Sequence, residues 1–491
     1  MPPTDDLSRE ELIELIAGQQ QTITTLTGRV AELERRLGRN SANSSMPPST
    51  DDRPGVNRAA RRAAKATGRK RGKQPGAPGS GLGWVDEPDV RVDHFPDGTC
   101  QCGKPMAAGA DGGVIGSHQV HDVPPVTVTV TQHDRHQVIC GCGRVHKASR
   151  PTLVLPARSS YGVNIQALVV YLLVFQHLPV HRAAALIADL TGAKPSAGYV
   201  HSMLARSAGT LTEVSEVIRA QIAASSVVGF DETTLRVGPA GTKKHVLSAN
   251  TDLLTAFWLG GRDLATFHAF GILDTFSGIA VHDRYTVYDH PDFNHIPGHQ
   301  LCAAHLLRDL ADAAESWPDQ HWPTQADRAL RGLISSWHQA RERGEPAVTG
   351  RAATRHRNLF RQAVVVGLSQ IPRTPGTNIK QLPARSLLQC LRDREHDVLR
   401  FTTDTRVPPT NNISERGLRP EKTQQKISGR LTSEAHTRHR LTLRSYLSTA
   451  AKHNINMMTA LRDAITGNPW TQGPGKVPML SVSRSDTPVR V

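Results

Sequence analysis

Between residues 226 and 260 three β-type runs follow in quick succession, "VVGFDETTLRV", "KKHVLSAN" and "LLTAFWLGG". Each mixes β-branched and aromatic residues in alternation, so the segment reads as an antiparallel meander. "DLATFHAFGIL" then predicts a short helix, "GIAVHDRY" a further strand, and "GHQLCAAHLLRDLADAAE" a strand that becomes a helix. Meander, helix, strand, helix is the order of an α/β core.

Two acids sit on that core. Asp231 lies inside its strand, where Val227, Gly229, Asp231 and Thr233 share one face, and Asp283 follows the apolar "SGIAV" at the end of another. An acid within a β-run is not there for strand propensity. A third, Glu415, stands far downstream in "PTNNISERGLRPEKTQQKISG", among Arg416, Arg419, Lys422 and Lys426. If a helix lays Glu415 across the strand ends, the three carboxylates converge. They would then repel one another and resist ionisation unless hard cations sat between them, and two Mg2+ ions roughly 3.5 to 4 Å apart are a known solution. The surrounding basic residues would hold a phosphate backbone. Each acid also has a local reading: Asp231 as a surface acid like Glu232, Asp283 as the acid of a turn, and Asn412 to Glu415 as a capping box.

Length and charge narrow the setting. A chain of 491 residues is too long for one ordinary core and predicts two to four folded units. Its formal net charge of +15 suits a polyphosphate partner better than an acidic protein or a metabolite. No charge-free apolar run reaches the ~18 residues that span a bilayer, and Asp5, Asp6 and Glu10 replace a basic signal region, so a cytoplasmic protein is expected.

The N-terminal part reads as a series of modules. Ile16, Gln19, Ile23, Leu26, Val30, Leu33 and Leu37 alternate at spacings of three and four, which predicts a coiled coil over residues 8–38 and a homo-oligomer. Residues 39–83 have little to bury and carry a basic arm that includes Arg61, Arg62, Lys65, Arg69, Lys70, Arg71 and Lys73, suited to double-stranded DNA through its phosphates. Residues 84–156 predict a small β module around "VTVTVTQHDRHQVIC", flanked by Cys100 and Cys102 in "CQCG" and Cys140 and Cys142 in "CGCG". Two such knuckles can make a four-sulfur Zn2+ site, with free thiols, or completion by His118, His121 or His146, as the alternatives. Residues 157–225 predict a helical domain with a helix-turn-helix outline, its second helix capped by Ser196. The α/β region spans 226–430 with a helical insertion at about 311–405, and C-terminal helices over 431–467 precede a disordered tail at 468–491.

"VVGFDETTLRV", "GIAVHDRYTVY", "CAAHLLRDL", "PTNNISERGLRPEKTQQKISG" and "LSTAAKHNIN", in this order, resemble the motifs of the DDE transposases of the insertion sequence 66 family. The N-terminal coil, "NSANSSMPPSTD", "KRGKQPG" and the cysteine pairs are similar too, so the resemblance covers nearly the whole chain. It implies an RNase H-like catalytic core with Asp231, Asp283 and Glu415 as the metal-binding triad, two Mg2+ (or Mn2+) ions per site, and a largely helical insertion before the glutamate. It also implies a transposase that binds the terminal repeats of an insertion element, cleaves the strands and joins them to target DNA, with accessory transposition proteins as further partners. The family more usually places two residues between its paired cysteines, and "CAAHLLRDL" puts His305 near the core. The other readings are a non-catalytic DNA-binding protein, whether a decayed copy or an accessory factor, and a nuclease on the same fold without strand transfer.

Overall fold

A computed structural model describes residues 8–10, 13, 15, 16, 18–20, 82–106, 111–150, 159–374 and 381–471. The predicted basic arm, most of the predicted coil and residues 472–491 of the predicted tail lie outside them. The chain divides into two compact units, Arg53–Thr129 and the remainder, and the division falls inside the segment read as one β module. Among the described residues no helix is long and apolar enough to cross a membrane.

In the Arg53–Thr129 unit, the Gln119 side chain bonds both the N–H and the carbonyl of Val85, and Thr99 bridges Pro105. Strand structure is sparse in the predicted β module. The alternating "VTVTVTQ" forms no strand, and among the described residues of the module only the strands β1 (Gln137–Ile139) and β2 (Val145–Lys147), in the other unit, pair. Val126, Val128 and Val130 are exposed, so the period of two is present without an apolar layer for it to cover.

The helical domain has four helices, α1 (Val163–Val174), α2 (Val180–Thr191), α3 (Ala197–Gly209) and α4 (Thr212–Ala223). The apolar stretch from Asn164 to Gly192 is thus two helices. It breaks at His177, whose φ of 58° no α-helix accepts, just ahead of Pro179. Ser196 caps α3 as expected, accepting from the Tyr199 N–H.

A five-stranded sheet follows: β3 (Val227–Leu235), β4 (Lys244–Asn250), β5 (Thr255–Gly260), β6 (Ile279–His282) and β7 (Gly298–Leu301), in the order β5-β4-β3-β6-β7. The first three form the predicted antiparallel meander, and β6 and β7 run parallel to β3. Helix α5 (Leu264–Phe270) lies between β5 and β6. Both faces are covered. Val228, Phe230, Leu247, Ala249 and Ala256 join the core of the helical domain, while Leu235, Val246, Phe257 and Leu259 pack with Leu418 and Leu441.

After β7 come α6 (Ala303–Ser316), α7 (Trp322–Glu342), α8 (Arg351–Gln370), α9 (Pro383–Asp393) and the short α10 (Glu395–Val398), which share a core of their own around Trp322, Leu330, Trp337, Phe360 and Leu388. This is the helical insertion. Buried Gln300 on β7 ties it back, donating to the Val398 carbonyl and accepting from the Phe401 N–H. Helices α11 (Asn412–Ile427), α12 (Glu434–Lys452) and α13 (Met457–Ile465) complete the chain's described part.

Candidate active site

Strand register brings the first two acids together. Gly229 on β3 pairs with Val281 on β6 in parallel, so Asp231, midway along β3, and Asp283, just past the end of β6, each two residues further on, lie level on neighbouring strands. Asp231 shares the face of Gly229 and Thr233, the side on which α11 packs. Gly229 is where that helix lands: a Cβ there would collide with Asn411 Oδ1 and Ser414 Oγ. The Asn411 amide donates to the Phe230 carbonyl at 2.5 Å, and the Asn411 N–H donates to Cys302 Sγ at 3.2 Å. Helix α11 therefore begins pinned to β3 and α6, with Glu415 in its first turn.

The capping-box reading fails here. The helix starts one residue earlier than that pattern requires, its N-cap is Asn411, and no side chain caps it. Glu415 Oε1 instead is buried without a hydrogen-bond partner, facing His305 Nδ1 at 3.7 Å, while Oε2 lies 3.7 Å from Arg308. Asp231 uses Oδ1 to accept the Glu232 N–H at 2.9 Å, and Asp283 uses Oδ1 to accept the Tyr285 N–H at 2.9 Å. The turn expected of Asp283 is thus present, and it occupies one oxygen only. Each carboxyl group keeps an oxygen that could ligate a cation, which is the donor set a hard divalent ion takes.

The electrostatics agree with that crowding. Burial raises the Asp231 carboxyl well above the usual range, and the charges of Glu232, Glu415 and Asp283 push it further. Glu232 is not the surface acid expected from strand alternation. Its side chain is only 4% exposed, because the opposite face of β3 is covered as well. Arg262 grips one oxygen at 2.7 Å and the Tyr288 hydroxyl donates to the other at 3.2 Å. Burial and the nearby Asp283 still raise its carboxyl above normal. Burial likewise lowers His305 and pushes the Cys302 thiol up to about 11.

The basic residues of α11 face away from the sheet. Arg416, Arg419, Lys422 and Lys426 are exposed, whereas Ser414, Leu418, Glu421 and Gln424 are buried. Buried Glu421 pairs with Arg440 of α12, which also reaches His177 Nδ1 at 2.9 Å. The Arg444 guanidinium lies 4.1 Å above the Phe175 ring, and Ser428 donates to the His177 carbonyl. The break between α1 and α2 thus serves to anchor the helix that carries Glu415.

Cys100 and Cys102 lie in the Arg53–Thr129 unit, Cys140 and Cys142 in the other, and all four thiols are exposed. Each pair forms the same turn. The first cysteine's N–H bonds the carbonyl of the residue four positions on, and its carbonyl accepts from the glycine N–H. Gly103 and Gly143 have φ of 82° and 86°, a region that glycine enters without strain. In both pairs hydrogen bonds from the second cysteine lower the first thiol's pKa. Among the residues named from sequence, the structure gathers Asp231, Asp283 and Glu415. Reasoning from sequence missed Glu232, Arg262, Tyr288 and Cys302. Only Cys302 had a readable signal, the three-residue spacing to His305 at a helix start.

No curated protein matches the chain. Residues 1–82 match a family of unknown function (DUF6444), a span holding the predicted coil and nearly all of the basic linker. Residues 158–439, from the helical domain through the start of α12, match the model of the transposase IS66 family. That span exceeds half the chain and includes all three acids, so the chain belongs to the IS66 family of transposases.

Proposed function

We propose that this transposase is a DDE enzyme on an RNase H-like core that binds the terminal repeats of its element, cleaves a strand at each end and joins the freed ends to target DNA. The observation that carries this is the meeting of Asp231, Asp283 and Glu415, each with an oxygen to spare, at the central strands β3 and β6 under α11. Bound there, two divalent cations, Mg2+ or Mn2+, would activate the attacking oxygen and stabilise the leaving one. The residues do the rest. Asp231 and Asp283 present their free oxygens from neighbouring strands, and Glu415 closes the site from above. Arg262 and Tyr288 hold Glu232 away from the metals. Arg416, Arg419, Lys422 and Lys426 grip phosphates on the exposed face of α11.

In the first step a water oxygen attacks phosphorus and the 3′ oxygen leaves, taking up a proton. In the second that 3′-hydroxyl attacks a target phosphodiester in line, and the target's own 3′ oxygen leaves. Both steps exchange one P–O bond for another and need no external energy source. The cysteine knuckles would bind structural Zn2+, the coil would bring two active sites to two DNA ends, and the basic arm would add contacts that do not read sequence.

The test is cleavage and joining of labelled element-end DNA by the full chain with Mg2+ or Mn2+. Both products should appear with the wild type and disappear with Asp231→Asn, Asp283→Asn or Glu415→Gln. Cleavage that survives all three substitutions would sink the proposal, and cleavage without joining would make the protein a nuclease.

A further inference from the structure

Cys302 is the N-cap of α6 and His305 lies in its first turn, three residues on and therefore on the same side. Glu415 lies in the first turn of α11, which meets α6 where the Asn411 N–H bonds Cys302 Sγ. One ligand atom from each of Cys302, His305 and Glu415 falls within 4.8 Å of the other two. Two of the atoms, His305 Nδ1 and Glu415 Oε1, are buried, lack hydrogen-bond partners and face each other across 3.7 Å. That gap is too long for a hydrogen bond, but one ion with bonds of ~2.0–2.2 Å can bridge it. Sulfur and imidazole favour a different ion from the one an oxygen-only set takes. Thiolate with imidazole selects Zn2+ and its relatives, while Mg2+ is left to carboxylates.

We propose that Cys302, His305 and Glu415 bind a single divalent cation of the Zn2+ class, and that its binding withdraws Glu415 from the Asp231–Asp283 pair. The second half rests on Glu415 being a ligand of the proposed catalytic metals; the first does not. Thiolate and carboxylate together balance the ion's charge, and Arg308 holds only the other oxygen of Glu415. Three protein ligands leave a coordination position open to solvent.

The probe is Co2+, added to a metal-stripped full chain carrying Cys100→Ser, Cys102→Ser, Cys140→Ser and Cys142→Ser. Only Cys302 and Cys390 then remain to give sulfur-to-cobalt charge-transfer absorbance. The expected result is one such site per chain, lost in Cys302→Ser, kept in Cys390→Ser, and at least ~10-fold weaker in His305→Ala, which serves as the test if Cys302→Ser does not fold. Absence of the band, or a band that follows Cys390, overturns the site. In a parallel assay Zn2+ should suppress Mg2+-dependent cleavage, each variant measured against its own zinc-free rate, with a midpoint at least ~10-fold higher in His305→Ala. An unchanged midpoint overturns the coupling to Glu415. The cobalt band persists in Asp231→Asn, so failure of the catalytic reading is told apart from failure of this one.

Discussion

The carboxylate site and the cysteine knuckles are built in opposite ways. Each knuckle is local: five residues, among them a glycine with positive φ, and two backbone hydrogen bonds specify it, and its thiols are exposed. The carboxylate site draws on β3, β6 and α11, with Asp231 and Glu415 far apart in the chain, and it is held by the contact of α11 with Gly229, the Asn411 bonds and the buried Glu421–Arg440 pair. A local turn depends on its own few residues. A distributed site depends on packing throughout the domain, so substitutions remote from it should still reach it.

The largest effect should come from the carboxylates themselves. Asp231→Asn, Asp283→Asn and Glu415→Gln should each lower DNA cleavage by roughly 10³-fold or more, the scale of losing a main electrostatic contributor, while melting temperature stays near wild type or rises as repulsion is relieved. A large fall in stability would mean that these acids support the fold.

Arg440→Met should destabilise the domain by about 3–5 kcal/mol in denaturant unfolding, because it strands the buried Glu421 charge. Its cleavage rate should fall too, since α11 carries Glu415. Normal stability would remove the anchoring role assigned to the pair and blur the contrast with the knuckles. Cys140→Ser with Cys142→Ser should do the reverse: bound zinc by elemental analysis should fall by about one per chain while the helical domain and sheet melt as before.

Neutralising Arg416, Arg419, Lys422 and Lys426 one at a time should weaken DNA binding similarly for every sequence and reduce the slope of log K against log salt by about 1 each. A loss confined to one sequence would make that face a reader of bases.

The smallest effect is a pH dependence at the helix break. Burial, with Arg440 and Arg444 nearby, depresses His177 to about 4, below the ordinary histidine value of 6.5. The unfolded chain thus binds a proton in that window that the folded one refuses, so the histidine's contribution is present above pH ~6.5 and is lost as pH falls towards 4. His177→Asn, which tolerates the positive φ, should flatten the melting temperature between those two pH values relative to wild type. Parallel curves would remove the assignment.

Much of the α/β core could be read from the chain because a period of two fixes which residues share a face, and that alone placed Asp231 beside Gly229 and Thr233. What lies over each face could not be read in the same way. Glu232 was expected in solvent because its neighbour pointed inward, but Arg262 and Tyr288 close over its side too. "VTVTVTQ" has the right period and no layer to pack on. Asn412 to Glu415 matches a capping box letter for letter, yet the helix starts at Asn412, because Asn411 is committed to β3 and α6. The break at His177 left no mark beyond Pro179, since the apolar spacing continues on either side. In each case local pattern was legible and the tertiary partner that overrode it was not.

The central claim is that Asp231, Asp283 and Glu415 form one metal site. Fe2+ substituted for the native ion, with ascorbate and peroxide, generates radicals that cut the protein backbone next to the bound metal. The full chain on its element-end DNA should break near residues 231, 283 and 415, and Asp231→Asn should weaken all three cuts together. Cuts at one position alone, or a pattern indifferent to Asp231→Asn, would contradict the account.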